Sequence, residues 1–135
     1  MLTKNEYDTW LQILRDPTTE KGVKLYFPKI NSDISVSDTN VKNEVLNANC
    51  MCAMGALAKS FVINNPEAHL VNLSSAIHPI EDRLFDSFQK CPHPTAKTLY
   101  GEDLYRIITQ MNDSGTPLPE IADYIESLNL ALAPC

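Results

Sequence analysis

The sequence predicts a single, mainly α-helical domain, or an α+β domain with a small N-terminal hairpin, built around a buried central helix and closed by a C-terminal helical hairpin. Three observations carry this expectation. Apolar residues recur at helical spacing near both ends of the chain. The middle holds a run of small apolar residues with almost no polar face. Between them, proline, glycine and asparagine clusters punctuate the chain at intervals that suit short helices. At 135 residues, 44% hydrophobic and 21% charged, the chain is long and apolar enough for one core without a stapling disulfide.

The first helix is announced by Thr3-Lys4-Asn5-Glu6, the spacing of a capping box, followed by Tyr7, Trp10, Leu11 and Leu14 on one face. It should end near Asp16-Pro17. Val23 to Phe27, bounded by Gly22 and Pro28, suits a strand or a packed extended stretch. Lys29 to Asn43, rich in Ser, Asn and Asp, reads as a surface loop with one possible strand at Ile34 to Val36, the second arm of a hairpin. Cys50 to Val62 is the expected central helix. Within it Gly55 costs helix stability relative to alanine, so another backbone or a ligand should lie against it.

Asn64-Asn65-Pro66 ends that helix. Leu70, Leu73 and Ile77 suggest a further helical segment broken at His78-Pro79, and Ile80, Leu84, Phe85 and Phe88 suggest another, closed by Cys91-Pro92-His93-Pro94. In the last third, Leu104, Ile107, Ile108 and Met111 form one amphipathic helix. Asn112-Asp113-Ser114-Gly115 is a turn signal, with Ser114 or Thr116 available to cap the next helix. Leu118, Ile121, Ala122, Ile125 and Leu128 form the second arm of the hairpin.

Eleven Lys and Arg against seventeen Asp and Glu give a formal charge of −6, with no basic cluster. Nucleic-acid backbones are bound through such clusters, so no nucleic-acid partner is expected. No apolar run approaches the roughly 20 residues of a membrane-spanning helix, and Met1 to Trp10 does not resemble a secretory signal, so a cytoplasmic location is expected. In that setting Cys50, Cys52, Cys91 and Cys135 should be free thiols.

Three blocks resemble a widespread group of small bacteriophage and prophage proteins: Trp10 to Arg15, Cys52-Ala53-Met54-Gly55-Ala56-Leu57-Ala58, and Met111 to Gly115 continuing through Glu120 to Glu126. In that group the middle block reads Cys-Cys-Leu-Gly-Val-Leu-Cys. The last reads Leu-Asn-Asp-x-Gly, then Phe-x-x-Ile-Ala-Asp-x-Ile-Glu. Here Ala53 and Ala58 replace two of the cysteines, which leaves no shared cysteine cluster for a metal. The resemblance implies a phage origin and a task in handling the host, conceivably counter-defence: recognition of a host protein or sequestration of a small host molecule in the host cytoplasm, with a homo-oligomer as one form.

Candidate site residues divide by chemistry. Asn112 and Asp113 at the helix junction, with Tyr100 and Tyr105 around Gly101, are candidates for ligand binding, although turn chemistry alone accounts for the Asn-Asp pair. The alternative is a thiol enzyme in which Cys52, at the start of a helix, is the nucleophile, with His93 (or His78) as base and Asp113 as its orienter. Cys50, Cys52, Cys91 and His93 have zinc-compatible chemistry. Their spacing argues against a site, because residues two apart in a helix point about 200° apart. Neither a metal nor a cofactor is expected.

Overall fold

Thr3 Oγ1 accepts from the Glu6 amide and the Glu6 carboxylate accepts from the Thr3 amide, so the capping box forms and starts α1 (Lys4–Arg15). These contacts come from a computed structural model that describes residues 1–30, 38–70, 72–94 and 101–134. Trp10, Leu11 and Leu14 are buried on the inner face of α1, and the Trp10 indole donates to the Ala53 carbonyl at 2.9 Å. That bond locks α1 onto the central helix, α3 (Ala53–Asn64). α3 also touches α2 (Asp38–Asn47), α4 (Ser74–Gln89) and α5 (Glu102–Asp113).

Every residue from Ala53 to Ala58 is buried, as a helix without a solvent face requires. The small side chains let neighbouring helices approach while Met54, Leu57 and Phe61 fill the gaps. The close contact expected at Gly55 is a backbone: a Cβ there would lie 2.1 Å from the Tyr26 carbonyl oxygen. The C-terminal hairpin also forms. α5 and α6 (Leu118–Ser127) join through Gly115 at φ +103°, a left-handed conformation that glycine tolerates. Leu118, Ile121, Ala122, Ile125 and Leu128 all face the core.

Four details differ from expectation. α2 begins inside what the composition presents as a loop: only Val41 and Val45, one turn apart, are buried against α3, too thin a stripe to stand out among polar neighbours. The Lys59 ammonium on α3 donates to the Ala48 carbonyl just past the end of α2, at 2.8 Å. His78-Pro79 does not break a helix. α4 runs through Pro79 because Ala76, Ile80, Leu84 and Phe88 form one continuous buried row, whose burial offsets the roughly 3 kcal/mol cost of an internal proline. Residues 65–70, 72 and 73 precede that helix. Finally, α6 starts at Pro117 without a side-chain cap, so neither Ser114 nor Thr116 takes that role.

The β content is a two-stranded parallel pairing of β1 (Glu20–Lys21) with β2 (Cys50–Met51), not a hairpin. Val23 to Phe27 is no strand, since its amides and carbonyls are engaged elsewhere. The strand expected at 34–36 lies outside the described residues. No described helix is long and apolar enough to cross a membrane.

Candidate functional site

The parallel pairing determines the course of the chain after β1. Glu20 and Gly22 donate to the Asn49 and Met51 carbonyls, and four residues later the Tyr26 carbonyl accepts from the Cys52 amide at 3.1 Å. Gly22 and Phe27 are buried, so the intervening segment bows outward. Val23 is 45% exposed and Leu25 59%. Lys24 sits at φ +65°, a conformation unfavourable for a residue with a Cβ, and it is held there because its amide donates to Asp113 Oδ1 at 3.0 Å.

Asn112 secures the same segment from below. It is buried; its Oδ1 accepts from the Ala53 amide, the first of α3, at 2.9 Å, and its Nδ2 donates to the Gly22 carbonyl at 2.8 Å and to Asp113 Oδ1 at 3.2 Å. An amide that a helix N-terminus leaves unsatisfied is therefore met by a side chain from another helix. Asn112 is thus more than a turn former: one amide group ties together α5, the start of α3 and the bowed segment.

Between the bowed segment, the start of α3 and α5 lies a cleft of about 120 Å³ lined by Lys24, Leu25, Tyr26, Cys52, Ala53, Met54, Tyr105, Thr109, Asn112 and Asp113. Four of the sequence candidates, Cys52, Tyr105, Asn112 and Asp113, meet here. Tyr100 lies outside the described residues. His93, after the end of α4, is not among the cleft residues, and no histidine is.

Cys52 lies outside the helix, as the N-cap of α3, with its Sγ accepting from the Gly55 amide at 3.3 Å. It is half-buried and borders the cleft, in contrast to the fully buried residues that follow it. Burial pushes its thiol up. The Asp113 charge adds to that rise and outweighs the helix-terminal amides of Gly55 and Met54 that favour the thiolate. The group at this position is a protonated thiol. Cys50 also precedes the helix, in β2, and among the described residues Cys50, Cys52 and Cys91 are free. No three His, Cys, Asp or Glu side chains among the described residues gather as a metal would need.

The far wall is a triangle of oxygens that the sequence does not reveal. The Tyr26 hydroxyl donates to Glu81 Oε1 on α4, and the Tyr105 hydroxyl lies 2.9 Å from that of Tyr26 and 3.2 Å from Glu81 Oε1. The Phe85 ring packs against Tyr105 with centroids 5.5 Å apart. Burial pushes both phenols up; the Glu81 charge and hydrogen bond add to this, so both remain protonated. Glu81, Lys24, Leu25 and Tyr26 are the site residues that sequence reasoning missed. One signal was available: Gly55 announced a neighbour that proves to be Tyr26.

In comparisons with family models, curated proteins and solved structures, nothing matches this chain significantly.

Proposed function

We propose that the chain is a phage-encoded accessory protein that acts by binding, that its target is a host protein in the host cytoplasm, and that the bowed segment 23–25 with its adjoining cleft is the recognition surface. The phage origin rests on the sequence resemblance. The observation that carries the binding reading is the exposed pair Val23 and Leu25, presented on a segment held in an unfavourable backbone conformation by Asn112 and Asp113. Two of the four large apolar side chains exposed among the described residues fall within these three positions. Isolated exposed apolar residues need no explanation; two beside a cleft, on a strained and stapled segment, suit an interface.

The cleft's size favours a protein over a free metabolite. A pocket that engulfs a drug-sized ligand spans about 300–1,000 Å³, whereas this one accommodates a single side-chain head group. The chemistry favours binding over thiol catalysis: Cys52 is protonated, Asp113 opposes its ionisation, and no histidine lines the cleft to act as base.

Capture of host proteins by the tagged chain, compared across variants, tests this reading. A host protein retained in stoichiometric amount by the wild type and by Cys52→Ser, and lost with Val23→Asp/Leu25→Asp at unchanged melting temperature, is the expected result. Loss with Cys52→Ser alone would move the thiol enzyme ahead. Retention by all three would place recognition elsewhere. If the wild type is a homo-oligomer that the double substitution converts to monomers, with no host protein captured, the surface serves self-association and the host-target reading falls.

A further inference from the structure

A hydrogen-bond inventory of the cleft indicates the chemistry of what enters it. The side-chain hydrogens on its walls are almost all committed within the protein. Tyr26 donates to Glu81, and Tyr105 donates to Glu81 or Tyr26. Thr109 Oγ1 donates to the Arg106 carbonyl at 3.0 Å, and both hydrogens of the Asn112 amide are used. The remaining donors are the weak Cys52 thiol and the Lys24 ammonium, which sits at the exposed rim.

Acceptors remain. Among the described residues Asp113 Oδ2 has no partner, while Oδ1 accepts twice. The phenol oxygens of Tyr26 and Tyr105 and the Thr109 hydroxyl each keep lone-pair capacity. Glu81, behind the phenols, adds negative charge to the same wall, and the chain as a whole carries −6. Two aromatic rings complete the lining, offering faces that attract a cation.

An acceptor-rich, aromatic and acidic cleft the size of a head group matches a planar cation with several N–H donors, because guanidinium stacks on aromatic rings and donates from a fixed fork. Resting on the reading of this surface as a protein-recognition site, we propose that the cleft receives an arginine side chain of the partner protein, with Asp113 and the Tyr26 and Tyr105 oxygens as acceptors. Lys24 is the one lining residue that opposes it.

NMR titration with N-acetyl-arginine methylamide tests the assignment, with the corresponding citrulline compound as the neutral isostere. Saturable shifts at Met54, Tyr105 and Thr109 are expected at roughly millimolar concentration, with citrulline about tenfold weaker or more. Asp113→Asn should weaken arginine binding about tenfold. Lys24→Glu should tighten it severalfold, a gain that misfolding cannot mimic. Equal binding of citrulline, or arginine binding unchanged in Lys24→Glu, overturns the assignment. If capped arginine produces no shifts while host-protein capture still depends on Leu25, the arginine assignment alone falls; if capture is also indifferent to Leu25, both readings fall.

Discussion

Gly55→Ala separates this account from the ordinary behaviour of helices. In a helix interior the substitution normally stabilises by up to about 1 kcal/mol. Here the new Cβ would meet the Tyr26 carbonyl oxygen at 2.1 Å and the Met51 Cβ at 3.1 Å. The Tyr26 carbonyl must retreat by more than about 1 Å to reach ordinary contact, and it cannot do so while accepting from the Cys52 amide. The loss of that hydrogen bond, about 1 kcal/mol, and overpacking of about 1–3 kcal/mol outweigh the propensity gain. A net destabilisation of about 1–3 kcal/mol follows, read by urea unfolding as a lower midpoint at constant slope. Because the displaced carbonyl belongs to the bowed segment, partner capture should weaken as well. A neutral or stabilised Gly55→Ala protein would refute the close approach of Tyr26, and with it the geometry assigned to the cleft.

Other predictions concern acid stability, thiol reactivity and the helical turn. Burial alone would push the Glu6 carboxyl up, but the Thr3 amide, Asn65 and Arg83 together hold it below its ordinary value. Glu6 therefore contributes stability that is fully present above the unfolded carboxyl value near 4.3 and is lost as pH falls through the lower folded value. In Glu6→Gln that portion of the acid transition should disappear, together with about 1–3 kcal/mol at neutral pH; an unchanged acid limb would contradict the pairing. In a Cys50→Ser background, iodoacetamide should alkylate Cys52 more slowly at pH 7 than it alkylates free cysteine, and faster alkylation would show a stabilised thiolate. Gly115→Val should cost about 1 kcal/mol or more through backbone strain alone, since nothing lies within 4 Å of the added Cβ; a neutral result in thermal unfolding would remove the left-handed turn.

What was legible in the sequence was local. The capping box, the apolar stripes of α1, α5 and α6, and the turn glycine each involve residues within about one helical turn, where spacing determines geometry. The row through Pro79 was misread because a strong local breaker competes with burial that only the tertiary structure supplies. α2 was hidden because two valines are enough when α3 covers them. In the site, Asn112 and Asp113 were recognisable as polar residues at a helix junction. Their partners were not: Asn112 reaches Gly22 and Ala53, and Tyr105 reaches Tyr26 and Glu81, residues distant in sequence with no shared period. Cys52 stood out by its position before a helix, but its protonation depends on Asp113 and on burial, which position alone does not reveal.

Hydrogen–deuterium exchange on the complex with the captured host protein tests the central claim most directly, because it maps the contact surface without altering any residue. The account predicts new protection of amides in 22–27 and along α5 from Tyr105 to Asp113, with the outer face of α1 and α6 unchanged. Protection confined to α1 and α6, with the bowed segment exchanging as in the free protein, would contradict it.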